Sequence, residues 1–128
     1  MTGLLLVSHS KRLADGLAEL LRELSGSPVP MATVGGETVL GVDAAMVLSG
    51  VSELLAQGVD AILVLGDVGS SLFSAEAAIE MAAGSHRMKI ADAPLVEGAI
   101  AAAMALSGGG ALDDAFSAAE EASTIRKR

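Results

Sequence analysis

Cysteine is absent from the chain, as are Trp and Tyr, and only two Phe are present. The first absence excludes disulfides, thiolate metal sites and cysteine nucleophiles, and fits a reducing, cytoplasmic setting. The second forces a core of Ala, Val, Leu, Ile and Met, whose small side chains let helices lie close to a sheet. Basic residues are scarce: eight Lys and Arg stand against sixteen Asp and Glu, giving a net charge of −8. A nucleic-acid partner requires a basic face, so that class is excluded, whereas a basic docking partner suits an acidic surface. Residues 126–128, Arg-Lys-Arg, read as a solvated terminus. Long apolar runs are missing too. The longest uncharged stretch, residues 98–112, falls short of the ~20 residues that span a bilayer, so no membrane partner is expected. No basic segment precedes the apolar residues 4–7, as a signal peptide would require.

With 52% hydrophobic residues in 128, the chain can bury a real core, and one domain over residues 1–128 is expected. Residues 3–8 form a short continuous apolar run, the mark of a strand buried on both faces. Helical spacing follows over 10–25, with Leu13, Leu17, Leu20, Leu21 and Leu24 on one stripe. A strand is predicted over 29–34, its start confined to a sheet edge by Pro28 and Pro30, with Gly35 and Gly36 as the turn after it. A helix over 43–57 begins at a capping Asp43 and stops at Gly58. Residues 60–65 make the clearest buried strand, followed by a turn, a helix from 72 to 83 and a short strand over 88–91. One helix then follows Pro94, three glycines break it at 108–110, and a last helix covers 112–123. The order βαβαβαβαα implies an α/β fold: a mostly parallel sheet flanked by helices on both faces. In such sheets ligands sit beyond the carboxyl ends of the strands, where the strand order reverses.

Four segments fall at those ends, residues 8–10, 35–37, 67–71 and 92–94, and three groups in them carry the chemistry. His9 directly follows the first strand and is a competent nucleophile at neutral pH, although a histidine here also serves as a helix cap or a plain loop residue. Asp67 directly follows the third strand. In the strand order 2-1-3-4 it emerges beside His9 and can bond one ring nitrogen, leaving the other free, while its local alternative is a turn or helix cap. Gly69, Ser70 and Ser71 open the next helix, where backbone N–H groups favour an anion, or else form an ordinary strand-to-helix turn. Neither a Walker pattern nor G-x-G-x-x-G is present, so no nucleotide or other cofactor is expected. His86 lies in a polar connection and reads as a surface residue; two histidines without matching carboxylates make no metal site. A Ser–His–Asp hydrolase built on Ser8 or Ser10 is disfavoured, because neighbouring strand side chains point apart and G-x-S-x-G is missing.

Taken together, Leu-Val-Ser-His-Ser at 6–10, Gly-Asp-Val-Gly-Ser-Ser-Leu-Phe-Ser-Ala-Glu at 66–76 and Ala-Pro-Leu-Val-Glu-Gly at 93–98 resemble one family. It is the phosphotransferase subunit of phosphoenolpyruvate-dependent dihydroxyacetone kinase, related to mannose-family IIA domains of the bacterial sugar phosphotransferase system. The resemblance runs along nearly the whole chain. It implies a cytoplasmic phosphotransferase in which His9 accepts a phosphoryl group from the phosphocarrier HPr, itself charged by enzyme I. The group would pass to ADP on a nucleotide-binding subunit, and the ATP formed would phosphorylate dihydroxyacetone on a third subunit. It also implies a homodimer, Asp67 as the histidine-orienting aspartate, and Gly69, Ser70 and Ser71 at the phosphate. Some relatives continue into HPr-like and enzyme I-like domains; this sequence ends earlier, so separate donors are expected. Relatives carry Gly-Thr-Asp or Gly-Thr-Ser where this chain has Gly41-Val42-Asp43, so no hydroxyl role is expected there. The motif at 93–98 favours the dihydroxyacetone branch over two alternatives, a mannose-type IIA component of a sugar transporter and a regulatory module read through phosphorylated His9.

Overall fold

The computed structural model describes residues 1–82 and 87–128, so the reading of His86 lies outside the described residues. Four strands, β1 (Thr2–Ser10), β2 (Met31–Gly36), β3 (Ala61–Gly66) and β4 (Arg87–Ile90), form one parallel sheet in the order 2-1-3-4. The helices are α1 (Lys11–Leu24), α2 (Ala44–Ala56), α3 (Gly69–Met81), α4 (Leu95–Ser107) and α5 (Leu112–Glu121), the last ending in a 3₁₀ turn, Ala122–Thr124. Two apolar layers sandwich the sheet. One joins Leu4, Leu6, Leu63 and Leu65 to α1, α4 and α5. The other joins Leu5, Val7, Ile62 and Val64 to α2 and α3. Alternate residues of the same strand therefore serve opposite faces, as the two-residue period of a strand dictates. This is why β1 and β3 read as unbroken apolar runs. Leu4, Leu5, Leu6 and Val7 have no exposed surface, each such burial contributing about 1.5–3 kcal/mol.

The register sets the functional end of the sheet. Val7 of β1 pairs with Gly66 of β3 and with Val34 of β2, so the carboxyl ends of these three strands lie level. Asp43 caps α2 by accepting the Met46 N–H at 2.8 Å, and Gly58, at φ +91°, follows its last turn. Several boundaries differ from the sequence reading. β1 runs on through His9 and Ser10, because Ser10 pairs with Gly36 after a register shift beyond Val7. Gly35 and Gly36 are strand, not turn, and β2 starts only at Met31, past both prolines. α3 starts at Gly69 rather than residue 72: first-turn N–H groups need no intrahelical acceptor, so a Gly-Ser-Ser start carries little penalty. On α1 the buried set is Ala14, Leu17, Ala18 and Leu21, while Leu13, Leu20 and Leu24 flank it half exposed. Alanines on that face bring the helix close to the sheet and push the larger leucines to its side. The basic tail is likewise not wholly free, since Lys127 pairs with Glu97 at 2.5 Å.

Gly35 permits the close approach on which the β1–α1 junction depends. A Cβ there would lie 2.5 Å from the Lys11 nitrogen, 2.6 Å from the Ser8 carbonyl oxygen and 2.7 Å from the Ser10 carbonyl carbon. All three are backbone atoms that cannot step aside. Gly35→Ala is expected to destabilise the fold by about 3 kcal/mol, readable as a lowered urea midpoint; an unchanged midpoint would mean that the junction tolerates the methyl.

Candidate functional site

β1 and β3 are neighbours, and beyond their last pair, Val7 with Gly66, His9 in β1 and Asp67 just after β3 meet although 58 positions separate them in sequence. The ring nitrogen Nδ1 of His9 lies 3.1 Å from Oδ1 of Asp67. The opposite nitrogen, Nε2, lies 2.7 Å from the Ser70 hydroxyl. Both side chains are partly exposed, at 31% for His9 and 19% for Asp67, so a reacting group can reach the ring while the carboxylate stays screened.

Four donors converge on the Asp67 carboxylate. Oδ2 accepts from the Ser8 hydroxyl at 2.9 Å and the His9 backbone N–H at 3.0 Å. Oδ1 accepts from the Val68 N–H at 2.8 Å and faces the His9 ring. Burial, the largest single influence, pushes the carboxyl upward, but the bonds from the His9 backbone and ring, the Ser8 hydroxyl and the Val68 N–H outweigh it. Together they hold Asp67 down at about 2, against 3.8 ordinarily. Asp67 is therefore an anion at neutral pH and can only accept. This assigns the proton to Nδ1 and leaves the Nε2 lone pair to accept from Ser70.

The depressed carboxyl also contributes to stability, present above the unfolded value of 3.8 and lost as pH falls toward about 2. At neutral pH the contribution is about 2 kcal/mol. Across that acid window the wild-type chain should lose unfolding free energy more steeply than Asp67→Asn. Parallel pH profiles from urea unfolding would remove Asp67 from the acid transition.

Val68 is the N-cap of α3, and no side chain caps that N-terminus. The N–H groups of Gly69 and Ser70 have no acceptor among the described residues. They form the positive end of the helix dipole, beside the ring. Ser71 is turned the other way: its side chain is fully buried, and both its hydroxyl and its N–H donate to the Val68 carbonyl, at 2.7 and 3.0 Å. Gly66 makes room for this turn, since a Cβ there would meet the Ser71 hydroxyl at 2.6 Å. The loop after β2 closes the other side through the Gly41 N–H, which donates to the His9 carbonyl at 2.8 Å. The connection after β4, by contrast, serves packing. The Asp92 N–H donates to Glu120 at 3.0 Å, and a Cβ on Gly98 would crowd Ala93 at 2.9 Å.

Sequence reasoning missed the part played by Ser8. Its side chain does point away from the His9 ring, as strand alternation requires, yet it reaches the same carboxylate from below. A serine inside an otherwise apolar buried strand was the available signal. Among the described residues no cluster of three His, Asp or Glu could hold a metal ion, and no helix is long and apolar enough to cross a membrane.

Residues 3–116 match the family model EIIA-man, described as the phosphotransferase-system fructose IIA component. The chain is 38% identical to the phosphoryl donor subunit DhaM of a PEP-dependent dihydroxyacetone kinase from Providencia stuartii, over 95% of its own length and 27% of that protein. It spans about a quarter of the length of the corresponding Escherichia coli subunit as well, at 35% identity. A shorter relative, the DhaM subunit of dihydroxyacetone kinase 2 from Listeria innocua, is 35% identical, with 81% of this chain and 85% of that one aligned. Among solved structures, the protein of unknown function EF1359 superposes with a TM-score of 0.76 at 30% identity, covering 94% of this chain and 93% of its own. The phosphotransferase-system component EIIA of Streptococcus agalactiae superposes at 0.72 with 17% identity over 97% and 93% of the two chains, a likeness of fold.

Proposed function

The chain belongs to the EIIA-man family of phosphotransferase-system IIA components, and from that premise we propose that it is a phosphohistidine carrier charged on Nε2 of His9. The observation that carries the reading is the ring held at both nitrogens, Nδ1 by Asp67 at 3.1 Å and Nε2 by Ser70 at 2.7 Å. The donor is the phosphohistidine of HPr. The Nε2 lone pair attacks phosphorus in line as the donor's P–N bond breaks, and the donor ring departs with that electron pair. The His9 ring becomes cationic as the new P–N bond forms, and the Asp67 anion beside Nδ1–H offsets the charge. Ser70 releases the lone pair and donates to a phosphoryl oxygen instead. The Gly69 and Ser70 N–H groups face the negative charge spread over the transferring group. With its hydroxyl and N–H already engaged, Ser71 contributes by shaping the turn. Because the bond broken and the bond formed are both P–N bonds to imidazole, the step runs readily in either direction.

The acceptor is ADP on the nucleotide-binding subunit of a dihydroxyacetone kinase, the activity named for the DhaM relatives. The chain thereby acts as a cytoplasmic, homodimeric phosphotransferase alongside that subunit and a dihydroxyacetone-binding one. Val68 and Phe73 beside the crevice, and Val39 and Leu40 on the neighbouring loop, are large and exposed, Phe73 by 73%. Apolar side chains displayed around a reacting histidine suit a docking protein. The test is incubation with phosphoenolpyruvate, enzyme I and HPr, followed by intact mass. One phosphoryl group that brief acid removes is the expected result; no gain with a cognate donor pair would overturn the carrier. Adding the ADP-loaded subunit then separates the kinase from a sugar transporter or a regulatory module, since only the first discharges the group onto ADP.

One observation favours a second reading. Ser70, His9 and Asp67 are spaced as a hydrolase triad, with Ser70 as nucleophile. Labelling of Ser70 by a fluorophosphonate, in a chain that takes up no acid-labile phosphate, would select it.

A further inference from the structure

Ser8 and Ser71 are the two fully buried polar residues among those described. Ser71 serves its own helix turn. The Ser8 hydroxyl accepts from the Ser10 N–H at 3.0 Å and donates to Oδ2 of Asp67 at 2.9 Å. Its two bonds constrain each other: with Ser10 donating into the oxygen, the hydroxyl's own proton is directed to the carboxylate. Val7, just before it, shows that this depth of β1 accepts an apolar side chain, so packing alone does not call for a hydroxyl. Burying one is favourable only with its partners in place.

Rotation about the Cβ–Cγ bond of Asp67 would carry Oδ1 off the axis of the His9 ring. Backbone N–H groups of Val68 and His9 hold one oxygen each, and on Oδ2 the side-chain restraint is the Ser8 hydroxyl. It is anchored through Ser10, which also caps α1 by accepting the Leu13 N–H at 3.3 Å. We propose that Ser8 is a positioning residue: it fixes the plane of the Asp67 carboxylate and so holds His9 in the Nδ1–H form, with Nε2 kept free for transfer. The tautomer part stands on geometry alone, and the effect on rate rests on the carrier reading above.

The experiment uses the full chain as wild type, Ser8→Ala and Ser8→Thr, with Ser8→Cys as a near-isosteric weak donor should the alanine variant fold poorly. Nitrogen-15 shifts of the His9 ring, recorded where the ring is neutral, report the tautomer directly. Loss of one hydrogen bond to a charged acceptor should raise the Nε2–H share about tenfold in Ser8→Ala. The single-turnover transfer rate at saturating HPr should fall by a similar factor, with half-saturation by HPr unchanged, and Ser8→Thr should recover both. A purely structural role would lower the melting temperature while leaving the tautomer and the single-turnover rate as they are. That result, or Ser8→Ala matching wild type in tautomer and rate, overturns the proposal. If wild type itself takes up no phosphate, the carrier reading fails, and the ring shifts still decide the role of Ser8.

Discussion

His9→Ala should incorporate no phosphoryl group from phosphoenolpyruvate, enzyme I and HPr, against one group per wild-type chain. Uptake should fall below detection because, among the described residues, no other side chain at the crevice offers an unshared nitrogen pair backed by a carboxylate. The nearest substitute, Ser70, is a neutral hydroxyl whose base is the ring that has been removed. The fold should survive, because His9 belongs to neither of the two apolar clusters. Deleting it costs Asp67 one of its donors, a loss of about 1 kcal/mol. Intact mass before and after acid, with circular dichroism on the same sample, measures both expectations. Residual uptake that survives acid would move the nucleophile to Ser70, and acid-labile uptake would move it to another histidine.

Asp67→Ala is the second large effect, smaller in rate and larger in stability. Without the carboxylate the Nδ1 proton loses its acceptor, both ring tautomers become populated, and the cation formed during transfer has no counter-charge. Removing an orienting carboxylate of this kind slows comparable sites by roughly 10²–10⁴-fold. The same change strands the Ser8 hydroxyl and the backbone N–H groups of His9 and Val68, so a loss of about 2–3 kcal/mol is expected. Asp67→Asn keeps the shape and an acceptor oxygen but not the charge. It should recover most of the stability and little of the rate. That split distinguishes a carboxylate required for transfer from one required for folding, and a transfer rate within twofold of wild type in Asp67→Ala would exclude the mechanism. Quenched single-turnover transfer supplies the rates, and urea titration supplies the stabilities.

The parts of this molecule legible in its sequence are those that a period or a breaker reports. β1 and β3 announced themselves as apolar runs because each serves two cores, and that pattern already implies helices on both faces. The pairing of His9 with Asp67 followed from topology once the order 2-1-3-4 was adopted. Less legible was whatever depends on where a backbone passes. Gly35 and Gly36 look like turn residues, and only the Lys11, Ser8 and Ser10 backbones lying against Gly35 explain glycine within a strand. Leucine spacing on α1 gave the helix correctly but not its rotation, because alanines decide how near a helix can lie. Gly69, Ser70 and Ser71 are adjacent in sequence yet differ in surroundings: the first two open onto the crevice and the third is sealed. The bond from Ser8 to Asp67 is not legible because strand alternation says which face a side chain takes and not what waits there.

The depth of β1 in the sheet bears on how the chain acquires its activity. β1 is made before β2 and β3 and is flanked by them in the finished sheet. The residue that completes the pair with His9 arrives 58 positions later, after two crossover helices have been laid down. No local contact can hold the ring in its working posture before then, and closing so long a loop is among the slower events of folding. A chain still emerging from the ribosome, or truncated before β3, thus carries the histidine without its partner. Competence should appear in one step with the pairing of β1 and β3, so phosphate uptake during refolding would time the closure of the sheet's centre.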